Sequence, residues 1–219
     1  MRYLIRSNSG LIASLFLSIS MMLMRMLYLR ELTFLFLVWS LFLAIIPYGL
    51  VLLLPARRRF LKLSGAILCV LFLPNAPYMI TDLFHLRWHD EPSIWFDTLL
   101  IASFAWNGIL LYFHTLHHLE QIFADKWQPA TKWMGIVLLS VLCAFGIYIG
   151  RYLRFNSWDV FTNLGTIIHE ISDHIRYPLK HPRTWSMTLV YMLFLVIGYF
   201  NFISFGRLRQ GSVISTNSQ

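Results

Sequence analysis

Six apolar segments, each close to the length needed to cross a lipid bilayer, constrain the fold of this chain more than any other feature. A membrane-spanning helix needs roughly 20 mostly apolar residues, because lipid offers no hydrogen-bond partners to the backbone. The predicted spans are residues 11–29, 32–54, 63–80, 94–113, 134–149 and 187–205. The sequence therefore predicts an all-α, polytopic transmembrane helical bundle that occupies residues 1–219 as a single integral-membrane domain.

The composition supports a membrane protein and excludes several other classes. Of the 219 residues, 58% are hydrophobic and 13% are charged, whereas soluble domains carry about 25% charged residues. The net charge of +8 suits contact with anionic lipid head groups. No soluble basic domain is present to bind nucleic acid, so membrane lipids are the expected partners. Protein partners stay unknown from the sequence.

The basic residues of the loops predict the orientation in the membrane, because cytoplasmic loops carry an excess of Lys and Arg. With the N-terminus in the cytoplasm, ten of the 18 basic residues lie inside and eight lie outside, among them Arg25. The inside set is Arg2, Arg6, Arg57, Arg58, Arg59, Lys62, Lys126, Lys132, Arg207 and Arg209. We therefore expect both termini in the cytoplasm. No small-residue cleavage site follows the first apolar run, so we interpret this run as a retained span.

Polar residues concentrate in two loops that six spans would place on the same side of the membrane. These loops are residues 81–93 and 151–185, and seven of the ten acidic residues lie in them or at the start of the fourth span. The sequence therefore predicts a polar pocket at one membrane interface.

A double proline interrupts the end of the third span, in the run Leu73-Pro74-Asn75-Ala76-Pro77-Tyr78. Each proline lacks an N–H, so the carbonyls of Val70 and Leu73 lose their helical donors. The side chain of Asn75 is able to satisfy a freed carbonyl. One interpretation is a discontinuous helix that offers backbone groups to a ligand, as in transporter sites. The other is a helix that ends near the interface with Asn75 as its cap.

Asp82 and His85 follow the break at a spacing of three, which places them on one face if the segment is helical. An Asp and a His are suited to acid–base chemistry or to holding a divalent cation. A cation site needs a third ligand, for which Asp159, His169 and His174 are the candidates. The alternative is local: Asp82 caps a short interfacial helix and His85 forms a nearby hydrogen bond. Cofactors therefore stay unknown, with a divalent cation as one option.

The fourth span carries two further polar residues, Asp97 in its first turn and Asn107 deeper inside. The helix dipole favours a carboxylate in the first turn, which explains Asp97 without a ligand. A polar side chain inside a span normally faces the bundle, so Asn107 either contacts a ligand or forms an interhelical hydrogen bond.

Two arginines follow the fifth span at a spacing of three, and both would lie at head-group level. Arginine forms bidentate hydrogen bonds with phosphate oxygens. Arg151 and Arg154, with Asn156 beside them, are therefore candidate ligand-binding residues. The alternative is that both arginines only anchor the helix end in the interface.

An amphipathic pattern follows over about residues 158–177. The apolar positions that share one helical face are Val160, Leu164, Ile167, Ile168, Ile171 and Ile175. The opposite face is too rich in charge for a span. The segment therefore predicts an interfacial helix on the membrane surface, or a lid over the break at Pro74.

The combined motifs resemble an uncharacterised bacterial integral-membrane family, the domain of unknown function 1361. The resemblance rests on the run 73–78, Thr81-Asp82-Leu83, His85-Leu86, Trp95-Phe96-Asp97, Asn107-Gly108 and the run 146–159, and it covers roughly residues 63–205. It implies a bacterial cytoplasmic (inner) membrane protein and assigns no catalytic residue.

The sequence leaves three classes of function open. The first is a membrane-embedded enzyme or lipid-handling protein that acts on an anionic amphiphile, with Asp82, His85 and Asp159 as candidate catalytic residues. Its ligand-binding candidates are Asn75, Asp97, Asn107, Arg151, Arg154 and Asn156. The second class is a small transporter or channel, lined by Asn75, Asn107 and the freed carbonyls. The third is a non-catalytic membrane subunit.

Overall fold

A computed structural model describes residues 9–53, 59–86, 94–123, 128–153, 155, 162 and 164–216, with side chains except at 59–62, 123 and 207–216. The described residues form helices and no strand. Six helical segments are long and apolar enough to cross a membrane. The prediction of an all-α transmembrane bundle is therefore confirmed, and the chain is a multi-pass membrane protein.

The helices are numbered in chain order. They are α1 (Ser9–Leu29), α2 (Leu35–Leu53), α3 (Arg59–Phe72), α4 (Asn75–Tyr78), a 3-10 segment (Met79–His85), α5 (Ile94–Phe123), α6 (Pro129–Tyr148), a π-helical turn (Ile149–Leu153), α7 (Leu164–Arg176), a short 3-10 turn (Pro178–Lys180) and α8 (Pro182–Thr216). The chain divides into two compact units, Met1–Thr115 and Leu116–Gln219, and α5 crosses their boundary.

Several spans extend beyond their predicted bounds. The third span continues past Ile80 to His85, the fourth continues past Phe113 as far as Ile122, and the fifth begins at Pro129. The amphipathic helix α7 begins at Leu164 in the described part of the chain, whereas residues 158–161 and 163 of the predicted interfacial helix lie outside it.

In the first unit, α2 packs against α3, α4 and the 3-10 segment. The face of α2 that is buried consists of residues at helical spacing, namely Leu37, Leu41, Ala44, Pro47 and Val51. Its other faces expose large apolar side chains such as Trp39, which is 55% exposed. An exposed apolar surface of this kind suits contact with lipid chains.

In the second unit, α6 packs along α8, and α7 contacts the short 3-10 turn that leads into α8. Ala144 and Ile147 of α6 and Leu195 and Tyr199 of α8 are fully buried. The Tyr199 hydroxyl donates a hydrogen bond of 2.7 Å to Glu120 Oε2, in the last part of α5. Glu120, a charged side chain inside a span, thereby accepts a hydrogen bond from a specific partner.

Candidate functional site

The break in the third span is a turn followed by a new helix. α3 ends at Phe72, and α4 begins at Asn75. The Leu73 carbonyl accepts from the Ala76 N–H at 3.2 Å, and Asn75 Nδ2 donates to the Phe72 carbonyl at 2.9 Å. The helix is therefore discontinuous, and Asn75 satisfies one of the carbonyls near the break. A ligand-binding role for Asn75 stays a prediction.

Gly108 of α5 lies directly against this break. A Cβ at Gly108 would overlap the carbonyl oxygen of Ala76 and lie 3.2 Å from Cβ of Met79. Ala76 and Met79 are fully buried. The close approach of α5 to the broken segment therefore requires glycine at this position.

Asp82 and His85 both belong to the 3-10 segment that follows α4. The two side chains differ in their surroundings, since Asp82 is 2% exposed, whereas His85 is exposed at the end of the segment. The His85 ring lies 4.9 Å from the ring of Phe36, at an interplanar angle of 58°. Their joint action as an acid–base pair stays a prediction.

Asp97 forms a bidentate ion pair with Arg25 near the end of α1. Arg25 Nε donates to Asp97 Oδ1 at 2.6 Å, and Nη2 donates to Oδ2 at 3.0 Å. Their side chains are 6% and 14% exposed, so the pair is largely excluded from solvent. The guanidinium carbon of Arg25 also lies 4.3 Å from the ring centroid of Phe34. Asp97 therefore has a specific cationic partner, which the helix dipole alone does not require.

Asn107 joins α5 to α1 through hydrogen bonds. Its Nδ2 lies 2.7 Å from Ser18 Oγ and 3.2 Å from the Ser14 carbonyl, and Ser18 Oγ donates to Ser103 Oγ at 3.0 Å. Asn107 and Ser18 are fully buried. This arrangement is the interhelical hydrogen bond that the sequence offered as the alternative to a ligand contact.

Together these contacts align α1 antiparallel to α5. Asn107 contacts Ser14 and Ser18, while Asp97, ten residues earlier in α5, contacts Arg25 near the end of α1. Polar groups thus connect the two helices from the middle of α1 to its last turns. In a membrane, where apolar contact between helices gives little driving force, such hydrogen bonds favour a specific pairing.

In the second unit, basic and aromatic side chains gather where α6 ends. Arg151 and Tyr152 lie in the π-helical turn. The guanidinium carbon of Arg183, in the first turn of α8, lies 4.5 Å from the ring centroid of Tyr152. Tyr152 stacks on Tyr148 at 5.2 Å between ring centroids. Arg183 thus contacts the residue that follows Arg151, although the two arginines are distant in the sequence.

A histidine pair lies at the end of α7. The rings of His174 and His181 stack with centroids 3.9 Å apart. His181 Nε2 lies 2.9 Å from Asp173 Oδ2, and His174 Nδ1 lies 2.8 Å from the Glu170 carbonyl. His174 is 4% exposed, and Trp185 donates its indole N–H to the His174 carbonyl at 3.3 Å. These contacts tie the end of α7 to the start of α8.

The geometry for a metal is not assembled among the residues that the structure describes. These residues contain no group of three or more His, Cys, Asp or Glu side chains placed to hold an ion. Of the proposed third ligands, His174 engages His181 and Glu170, His169 is exposed on α7, and Asp159 lies outside the described residues.

Three predicted site residues fall on parts of the chain that the structure leaves undescribed: Arg154, Asn156 and Asp159. Asn75, Asp82, His85, Asp97 and Asn107 belong to the first unit, and Arg151 belongs to the second. A pocket shared by both groups stays a prediction.

Sequence reasoning missed Arg25 as a partner of Asp97 and counted it only as a loop charge. One signal was available, because Leu11, Ser18, Met22 and Arg25 recur at intervals that place them on one face of α1. All four are buried. A stripe that contains both a serine and an arginine inside a span indicates a face turned toward other helices.

Comparison with known proteins assigns the chain to a family. The family model described as protein of unknown function (DUF1361) matches residues 39–197, which is more than half of the chain. This range begins within α2, so α1 and Arg25 precede it. No curated protein and no solved structure matches the chain. The family resemblance read from the motifs is confirmed, and the chain belongs to the DUF1361 family of proteins of unknown function.

Proposed function

We propose that this membrane protein binds an anionic amphiphile, such as a phospholipid or a polyprenyl phosphate, at a membrane interface. It acts on that amphiphile as an enzyme or handles it as a lipid-binding protein. Arg151 and Arg154, with Asn156, contact the anionic head group. Asp82, His85 and Asp159 are the candidate acid–base groups or ligands of a divalent cation.

The observation that carries this proposal is the arrangement of arginines around Tyr152. Arg183 places its guanidinium over the ring of Tyr152, with Nη2 3.4 Å from the hydroxyl. Arg151 is the chain neighbour of Tyr152, and its side chain is partly exposed. Guanidinium groups bind phosphate oxygens in bidentate geometry, so an exposed arginine in contact with Tyr152 and a partly exposed arginine next to Tyr152 in the chain suit an anionic head group.

The surrounding residues support a position at the membrane interface. Tyr148, Tyr152 and Trp185 are aromatic residues of the type enriched at head-group depth. On α7, Leu164, Ile168 and Ile175 are 50%, 55% and 60% exposed. An exposed apolar face on a short amphipathic helix suits the boundary between head groups and acyl chains.

Native mass spectrometry of the lipids that co-purify with the protein tests the proposal. The variants are Arg151→Ala, Arg154→Ala and the matched control Arg176→Ala, which removes one exposed arginine of α7. We expect the wild type and the control to retain an anionic lipid. The Arg151 and Arg154 variants should lose most of it, because a charge-assisted bidentate contact contributes about tenfold or more in affinity. An unchanged lipid complement in both variants would refute this function.

The proposal includes a location in the bacterial cytoplasmic membrane with both termini in the cytoplasm. Its support is the excess of basic residues in the loops assigned to the inside. Fusion of a fluorescent protein and, separately, of alkaline phosphatase to the C-terminus tests the orientation. Fluorescence without phosphatase activity is the expected result, and the reverse pattern would contradict it.

A further inference from the structure

Arg25 has a hydrogen-bonding edge that Asp97 does not use. Asp97 accepts from Nε and Nη2 of the guanidinium. The remaining nitrogen, Nη1, is buried and donates to no acceptor among the residues that the structure describes. The side chain as a whole is 6% exposed. The structure therefore contains a buried cationic donor whose hydrogen-bonding capacity is only partly used.

An unused donor in such a position favours an external acceptor. A buried N–H without a partner destabilises the folded state by about as much as a lost hydrogen bond. Arg25 lies near the end of α1, and Asp97 lies in the first turn of α5. The ends of spans lie near the lipid head groups, where phosphate oxygens and water are the available acceptors.

The geometry of the guanidinium favours phosphate oxygens over water as the acceptor. With Nε and Nη2 bonded to Asp97, the free edge consists of Nη1 and the second N–H of Nη2. Two roughly parallel N–H groups match two oxygens of a phosphate. Phe34 covers one face of the guanidinium and Nη1 is buried, so an acceptor reaches this edge in the plane of the group and only when the side chains that enclose Nη1 move aside.

We propose that Arg25 binds a head-group phosphate through its Nη1 edge, with Asp97 and Phe34 as positioning residues. The inference takes from the proposed function only the identity of the ligand as a phosphate-bearing amphiphile. It concerns the first unit alone and uses neither Arg151 nor Arg154. The acceptor is a phosphate oxygen, whether it belongs to a lipid or to free phosphate.

The first test measures the thermal stability of delipidated protein in detergent. Dioleoylphosphatidylglycerol, dioleoylglycerol and inorganic phosphate are titrated separately. The variants are Arg25→Lys, which keeps the charge but lacks the second edge, and Arg30→Lys, the same change at an exposed arginine five residues later. We expect phosphatidylglycerol to raise the Tm of the wild type and of Arg30→Lys. The half-maximal concentration should be at least about tenfold higher for Arg25→Lys.

A second variant distinguishes a loss of phosphate binding from a loss of folding. Asp97→Asn keeps the guanidinium but removes the charge of its partner, which leaves a buried cation uncompensated. We expect this variant to have a lower Tm than the wild type without lipid and a larger rise in Tm with phosphatidylglycerol. If Arg25 served only to bind Asp97, the rise would be no larger than in the wild type.

The outcomes separate this inference from the proposed function. Equal responses of the wild type and Arg25→Lys to phosphatidylglycerol would overturn the inference, while the lipid test at Arg151 stands on its own. An Arg25-dependent rise with inorganic phosphate alone would support the phosphate site but not an amphiphile as its ligand. An equal rise with dioleoylglycerol would assign the effect to the acyl chains and would also overturn the inference.

Discussion

Replacement of Gly108 by alanine tests the packing of α5 against the broken third span. The added Cβ would overlap the carbonyl oxygen of Ala76 and lie 3.2 Å from both Cβ and Sδ of Met79. A flexible side chain is able to rotate away from such an overlap, whereas a backbone carbonyl inside a tight turn is not. We therefore expect Gly108→Ala to displace α4 or α5 and to destabilise the first unit.

The magnitude follows from two opposing effects. Alanine in place of glycine stabilises a helix interior by up to about 1 kcal/mol. Overpacking costs about 1–3 kcal/mol, and the rigid neighbour places this site in the upper half of that range. The net destabilisation should be about 1–2 kcal/mol, which corresponds to a Tm lower by about 2–8 °C for a chain of this size. Gly49→Ala is the matched control, since a Cβ there meets nothing within 4 Å.

A thiol-reactive fluorophore provides the assay. The two cysteines, Cys69 and Cys143, are buried thiols, so unfolding exposes them to the dye. In a Cys143→Ala background, Cys69 of α3 reports the first unit alone. We expect Gly49→Ala to keep or raise the Tm, and Gly108→Ala to lower it. A Tm for Gly108→Ala that equals or exceeds that of Gly49→Ala would refute the close approach of α5 to Ala76.

Three further substitutions test side-chain hydrogen bonds by the same thermal measurement, read from Cys69 for the first unit and from Cys143, in a Cys69→Ala background, for the second. Asn107→Ala should lower stability by about 1 kcal/mol, because α5 loses the hydrogen bonds that Asn107 donates to α1; an unchanged Tm would contradict the interhelical contact. Asn75→Ala should cost about 0.5–1.5 kcal/mol by freeing the Phe72 carbonyl, and stability equal to the wild type would argue against this cap. Tyr199→Phe should cost about 1–3 kcal/mol by removing the donor to Glu120, whereas Tyr177→Phe, at an exposed tyrosine, should change little.

The sequence predicts the helices well because hydropathy is a local property. The break at Pro74 also follows from local chemistry, and so does the side-chain hydrogen bond of Asn75. The predicted span ended at Ile80 because residues 81–93 were assigned to a polar loop, so its continuation to His85 was missed. The new helix begins at Asn75 and places Pro77 in its first turn, where the missing N–H needs no helical acceptor.

The fourth span was predicted to end at Phe113 because polar residues follow it. In the structure α5 continues to Phe123, and Glu120 of this extension accepts a hydrogen bond from Tyr199. The donor lies 79 residues later in the chain. Hydropathy carries no information about such a distant partner, so the length of α5 depends on tertiary contacts that a local pattern does not contain.

The position of Arg25 bears on the orientation argument as well as on the site. As a loop charge it was one of eight basic residues assigned to the outside, against ten inside. In the structure its side chain is buried against Asp97, which is 72 residues away. A buried arginine that an aspartate neutralises adds no net charge to the loop, so the outside count falls from eight to seven. The contact with Asp97 therefore removes Arg25 from the loop charges. It also makes Arg25 a candidate for phosphate binding, because an arginine is retained inside a span only where its N–H groups have hydrogen-bond acceptors.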